Sequence, residues 1–218
     1  MYVTPDQRAR HAETRRQSGT AQAQTIEFRS DRPVYFEGDT AASLYLVKRG
    51  VLRLSRVLAD GRRQIIAFGY PGDVVGFPSD GAHRTDCDVL EAAELEVIPA
   101  RILAEKGEWH PRKDRILAAA LAEVSAMQDH FMMLGLKTAK EKVASFLVTL
   151  SNRTGTPLGK YVEFTLPMSR ADIAAFLGLT IETVSRQVTA LRKAGIIETD
   201  GARTIIVTDP ESLEEAAS

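Results

Sequence analysis

"LGLTIETVSRQVTALRKAGII" runs from Leu177 to Ile197, and the reading of this stretch decides the rest of the chain. Val184, Val188 and Leu191 recur at intervals of four and three, the spacing of an apolar stripe on a helix. Glu182, Ser185 and Arg186 fall off that stripe and crowd one turn of the other surface. Just upstream, "SRADIAAFLG" (169–178) reads as a helix opened by a capping box. Ser169 is its N-cap and Asp172 its N3 residue, aspartate standing in for the stronger glutamate. Thr180 is the expected N-cap of the second helix, and Gly178 can take the sharp turn between the two. Ile173, Ala174 and Leu177 would then pack on Val184, Val188 and Leu191, leaving Glu182, Ser185 and Arg186 facing outward. Downstream, "IIETDGARTIIVTD" (196–209) reads as a hairpin turning at Asp200-Gly201. Helix, tight turn, helix and hairpin make a winged helix-turn-helix.

That outward face suits a DNA major groove. Arginine reaches guanine O6 and N7 with two hydrogen bonds, glutamate accepts from cytosine N4, and serine can meet a base or a phosphate. The competing reading is a solvated face with a Glu182–Arg186 pair at i,i+4 spacing. A capped first helix, a glycine turn and a basic wing together favour nucleic acid. The candidate base contacts are Glu182, Ser185 and Arg186. The candidate phosphate-backbone contacts are Ser169, Arg170, Thr180, Thr183 and Gln187, with Lys193 at the helix end and Arg203 in the wing. Net charge agrees only locally. The chain has a formal charge of −1, yet residues 137–208 hold ten basic against six acidic residues, and "DPESLEE" near the end returns the negative charge. Attraction to phosphate depends on the local balance.

Composition bounds what else is possible. With 218 residues, 44% hydrophobic and 26% charged, the chain can bury a sizeable core as one large domain or two small ones. No apolar run is long enough to cross a bilayer, so no membrane partner is expected, and the first residues lack the apolar core of a signal peptide. The expected compartment is the cytoplasm. One cysteine, Cys87, rules out an internal disulfide and any cluster built on several thiolates. His83, His110 and His130 lack metal-ligand spacing, and no nucleophile–base pair or phosphate loop appears. An enzyme is not expected, nor a metal site.

Working toward the N-terminus, "TAKEKVASFLVTLSNRTG" (138–155) is a helix and "YVEFTLPM" (161–168) holds a short strand. Before them, "RKDRILAAALAEVSAMQDHFMMLG" (112–135) places Leu117, Leu121, Val124, Gln128 and Phe131 at spacings of three and four, with Leu134 nearby. This helix either packs on its own domain or forms a two-fold seam between protomers. From Ile26 to Pro99 the texture is short β-like runs between glycine turns, with a hairpin at Asp60-Gly61, as in an antiparallel barrel or jelly roll. Residues 1–24 are polar and read as a flexible arm.

Here the chain resembles a known family. "LPMSRADIAAFLGLTIETVSRQVTALRKAGII" (166–197) is similar to the DNA-binding helix-turn-helix of CRP/FNR bacterial transcription regulators. "LYLVKRGVLRLSRVLADGRRQIIAFGYPGDVVGF" (44–77) resembles that family's cyclic-nucleotide-binding-type barrel. The resemblance implies an α+β chain in five parts. These are an arm (1–24), an effector-type β-barrel or jelly roll (25–111), a dimerisation helix (112–136), a winged helix-turn-helix (137–210) and an acidic tail (211–218). It moves the seam reading ahead, with Leu117, Leu121, Val124, Gln128, Phe131 and Leu134 at the interface of a homodimer.

Glu182, Ser185 and Arg186 match the E-x-x-S-R of the FNR and FixK branches, whose half-sites are TTGAT-like. The implied partners are a palindromic TTGAT-N4-ATCAA operator in double-stranded DNA and RNA polymerase, with activation as the outcome. Residues 1–86 contain no cysteine, which excludes the iron–sulfur sensor of FNR on ligand count. Family members that bind cyclic nucleotide place Gly-Glu and Arg-Ser or Arg-Thr pairs around it. Here Phe77 follows Gly76, and only Arg84-Thr85 keeps the phosphate half. No cofactor is therefore expected, as in the FixK branch. The alternative is a ligand-gated regulator whose barrel binds an unidentified small effector or haem. Cys87 is read as an inert buried thiol, with redox sensing as its lesser alternative.

Overall fold

A computed structural model describes residues 24–103 and 111–218. The arm, except Gln24, lies outside the described residues, as do Trp109 and His110. The first half is antiparallel β-sheet built on two long strands, β3 (Ser43–Val57) and β6 (Asp86–Pro99). Around them lie β1 (Gln24–Phe28), β2 (Pro33–Tyr35), β4 (Arg63–Gly69) and β5 (Val74–Val75), in the order β1-β6-β3-β4, with β2 on β6 and β5 on β3. β3 and β4 form the hairpin expected at Asp60-Gly61.

Between Val47 and Leu52 the β3–β6 register shifts repeatedly. Such bulges bend both strands and let one sheet curl as a jelly roll does. Gly50 sits in this kink at φ +85°, and a Cβ there would lie 2.5 Å from the Ala92 carbonyl oxygen. The curl encloses Tyr35, Val47, Leu52, Leu54, Cys87 and Leu95.

A short 3₁₀ turn (Ala100–Leu103) ends the described part of this half. Then come α1 (Pro111–Leu136), α2 (Ala139–Thr154), α3 (Arg170–Leu177) and α4 (Ile181–Lys193). A four-stranded sheet ordered β7-β8-β10-β9 accompanies them: β7 (Thr156–Leu158), β8 (Tyr161–Thr165), β9 (Ile197–Asp200) and β10 (Thr204–Val207). β7 went unread because three residues containing a proline carry no alternation to detect. No described helix is long and apolar enough to cross a membrane.

The C-terminal stretch differs from the acidic tail read in the sequence. Pro210–Ala217 is a helix, α5, capped by Asp209, which accepts from Ser212 N–H. Its Leu213 and Ala216 are buried against the same core as α2, and Lys137 Nζ donates to the Ala217 carbonyl. The glutamates occupy its outer face, so the composition of a tail concealed an amphipathic helix.

One apolar core joins the two halves. Val51, Ile65, Phe68 and Tyr70 of the jelly roll belong to the same cluster as Phe146, Leu147, Ile173, Leu177, Val184 and Leu191. Phe68 lies 5.2 Å from Phe176 and 6.2 Å from Phe146, ring centre to ring centre. α1 spans the molecule beside them. Its start packs Ile116 on the jelly roll with Leu44, Leu46 and Ile98. Near its end His130 stacks on Phe176 at 4.1 Å.

Candidate nucleic-acid interface

The helix-turn-helix forms as its local sequence dictates. Ser169 Oγ accepts from Asp172 N–H, and the Asp172 carboxylate accepts in return from Ser169 N–H and Oγ–H, a reciprocal capping box. α3 ends at Gly178 in the left-handed region (φ 63°, ψ 38°). Thr180 caps α4 by accepting from Thr183 N–H. Ile173, Ala174, Leu177, Val184, Val188 and Leu191 are all buried, so the inner face of the motif is spent on packing.

The opposite face is free. Glu182, Ser185, Arg186 and Lys193 are exposed, and Ser185, Arg186, Thr189, Ala190 and Lys193 line one shallow depression. Arg186 Nη2 donates to Thr183 Oγ1 at 3.1 Å, and that hydroxyl lies 3.0 Å from Thr180 Oγ1. The guanidinium is thus laid back along the first turn of α4. The ion pairs among the described residues join other partners, so the Glu182–Arg186 pair of the competing reading is not formed. Hydrogen bonds from its own backbone N–H and from Thr180, with Arg186 nearby, hold the Glu182 carboxyl below the usual carboxylate range. At neutral pH it is a pure hydrogen-bond acceptor.

The candidate phosphate contacts fall into three groups. Lys193 and Arg203 are exposed at the end of α4 and in the wing. Ser169 and Thr180 face solvent, but their hydroxyls already serve as caps. Thr183, Gln187 and Arg170 are half-buried, and Arg170 Nη1 is enclosed without a partner. Two residues in contact with the motif escaped the sequence reading. Arg53 Nη1 donates to Asp172 at 2.6 Å, and Gln64 Nε2 donates to the Ala175 carbonyl at 2.8 Å. Nothing local marks them, since each sits in an alternating strand pattern like its neighbours.

α1 carries two apolar faces. Ile116, Met133 and His130 turn toward their own chain. Leu117, Leu121, Val124, Met127 and Phe131 are 53–75% exposed, and Val124, Met127, Gln128, Phe131 and Met132 line an open apolar depression. Leu134 stands apart from the other seam candidates. It is half-buried, and its Cδ2 would lie 3.6 Å from a Cβ on Gly178, so it faces the turn of its own helix-turn-helix.

In the jelly roll, three rings pack against Gly76. A Cβ on Gly76 would meet His83, Tyr45 and Tyr35 at 3.2–3.4 Å, and Tyr35 stacks on His83 at 3.7 Å. Phe77 packs with Leu44, Leu46 and Ile98. Arg84 pairs with Asp80 at 2.9 Å, both well exposed, so its charge serves the surface. These residues do not fit a cyclic nucleotide. Cys87 is fully buried, and burial pushes its thiol well up from the ordinary value, which suppresses the reactive thiolate.

Comparison with known proteins agrees with this geometry. Residues 25–106 match the family model of the cyclic nucleotide-binding domain, and residues 141–216 that of the Crp-like helix-turn-helix domain. The nitrogen fixation regulation protein FixK of Azorhizobium caulinodans is 36% identical over 99% of this chain and 86% of its own length. The protein of the same name from Rhizobium meliloti is 38% identical over 85% of this chain and 83% of its own. The solved structure of FixK2 from Bradyrhizobium japonicum is similar with a TM-score of 0.81 at 34% identity, covering 91% of this chain and 98% of that one. These relatives are regulators rather than enzymes. A buried-inside, polar-outside recognition helix on a jelly roll, with relatives of this kind along nearly its whole length, places the chain in the CRP/FNR family of DNA-binding transcription regulators, on its FixK-like branch.

Proposed function

We propose that this regulator works as a homodimer, reads TTGAT-N4-ATCAA palindromes without a bound cofactor, and activates transcription by contacting RNA polymerase. The observation that carries the readout is the α4 surface: Glu182, Ser185 and Arg186 exposed over a helix whose other side is buried. Arg186 bonds the guanine of each half-site, Glu182 accepts from the paired cytosine, and Ser185 meets a neighbouring thymine or phosphate. Lys193 and Arg203 hold phosphates, with lesser contributions from Ser169, Arg170, Thr180, Thr183 and Gln187. The exposed stripe from Leu117 to Phe131 supports the dimer. The rings packed at Gly76, the absent carboxylate after it, and the outward Arg84 support independence from cyclic nucleotide. The names of some relatives, such as a probable transcriptional activator of Rhizobium leguminosarum, support activation.

The test compares specificity with salt slope. Arg186→Ala should cost about 1–3 kcal/mol per half-site and relax preference at one base pair. Lys193→Ala should weaken all sequences alike and flatten the salt dependence. Selection from random DNA without added ligand gives the preferred sequence, and titrations on matched and G-substituted operators give the rest. If Arg186→Ala weakens every sequence equally while Lys193→Ala shifts base preference, the roles are reversed.

A further inference from the structure

The contact between the jelly roll and the winged helix-turn-helix is mostly apolar; Arg153 of α2 pairs with Asp73 at its edge, and two polar links reach α3 itself. Arg53, on β3, is fixed by its cross-strand neighbour Asp88 through Nε at 3.1 Å and Nη2 at 2.5 Å. Its remaining terminal nitrogen reaches Asp172 Oδ1 at 2.6 Å. The Arg53 and Asp172 side chains are only 15% and 12% exposed. Asp172 is held from its own side as well, because its other oxygen accepts both capping bonds of Ser169. Burial pushes the Asp172 carboxyl up, but the Ser169 hydrogen bonds and the Arg53 guanidinium outweigh it and keep it below the usual range. The second link is Gln64 Nε2, which donates to Ile65 O on its own strand and to Ala175 O on α3. Asp172 and Ala175 lie one helical turn apart. The β3–β4 hairpin therefore grips α3 at two successive points on one face.

These links differ in kind from the apolar contact around them. Packed phenylalanine rings resist separation but tolerate small slides and rotations. A guanidinium with both ends engaged by carboxylates defines an angle. Buried ion pairs of this type are poor sources of net stability, and their attested use is to specify one arrangement among several. α3 leads through a single left-handed glycine into α4, so an angle imposed on α3 is passed to the recognition helix.

We propose that Arg53, assisted by Gln64, is a positioning residue that sets the angle of the recognition helix and thereby the half-site spacing the dimer accepts. The inference rests on the dimeric operator reading above. In a two-fold protein the separation of the two recognition helices depends on how each is mounted on its own jelly roll. Loosening the mount should leave each helix able to read a half-site while the pair loses its fixed separation.

The experiment measures binding of the full-length protein to operators with spacers of three, four, five and six base pairs, and to an isolated half-site. Wild type, Arg53→Met, Arg53→Lys and Gln64→Ala are compared. Wild type should favour one spacing by about tenfold or more. Arg53→Met should reduce that preference to about threefold or less with half-site affinity within about twofold of wild type. Arg53→Lys should restore part of the preference, because an ammonium keeps the charge and loses the fork. Gln64→Ala leaves no buried charge behind, so it stands in if Arg53→Met folds poorly, and it should lower the spacing preference in the same direction. Wild-type spacing preference retained by Arg53→Met, or by Gln64→Ala where Arg53→Met does not fold, overturns the inference alone. Loss of half-site and operator binding in parallel also overturns it, since the residue would then only support the fold. A wild type that binds every spacing and the half-site alike overturns the dimeric reading and this inference together.

Discussion

Leu121→Glu tests the seam along α1. Leu121 is 62% exposed in the protomer, and burying a whole leucine side chain is worth about 1.5–3 kcal/mol. Covering the exposed part in a dimer therefore contributes roughly 1–2 kcal/mol per protomer, and about 2–4 kcal/mol counted twice. At about 1.4 kcal/mol per factor of ten, its loss raises the dimer dissociation constant by about 30- to 700-fold. The introduced carboxylate must also be desolvated, which makes that range a lower bound. The protomer itself should fold unchanged, because exposed positions of this sort shift stability by about 0.5 kcal/mol or less. Sedimentation equilibrium over a wide concentration range gives the dimer constant, circular dichroism checks the fold, and anisotropy on a palindrome and a half-site separates dimerisation from recognition. Half-site affinity should persist while palindrome affinity falls. A variant that dimerises like wild type, or a monomeric wild type that binds the palindrome tightly, refutes the reasoning.

Gly50→Ala should cost about 2–4 kcal/mol in denaturant melts, combining left-handed strain with overpacking against β6 backbone; a loss under 1 kcal/mol would show that the kink can relax. Burial, then the nearby Lys142, hold the His130 imidazole below its ordinary value. Its stabilising contribution is therefore complete above pH of about 6.5 and is lost as pH falls through the lower folded value. His130→Phe should accordingly flatten the fall in melting temperature between pH 7 and 5, and an unchanged slope contradicts the assignment. Purified protein should be colourless, and saturating cyclic AMP should leave its operator affinity within about twofold; a haem spectrum, or a large gain in affinity, points to an effector in the jelly roll.

Local rules were enough to read the helix-turn-helix. The capping box at Ser169 and Asp172, the glycine turn, the Thr180 cap and the alternation of buried and exposed residues along α4 each depend on neighbours within four positions. The Asp60-Gly61 and Asp200-Gly201 hairpins were legible for the same reason. α5 was not, because Leu213 and Ala216 are too few to announce an amphipathic face among glutamates, and only the surface of α2 gives them somewhere to go. Leu134 has the spacing of a seam residue, and only the fold shows that it also lies beside the turn at Gly178. The rings of Tyr35, Tyr45 and His83 come from three separate segments, so their meeting beside Gly76 has no signature in any of them. Arg53 and Asp172 stand 119 residues apart, as ordinary in sequence as any strand arginine and any cap. Periodicity and capping act through the backbone over one or two turns, and a sequence displays them directly. Which distant charge meets which is settled only when the core shared by the two halves closes and holds them at bonding distance.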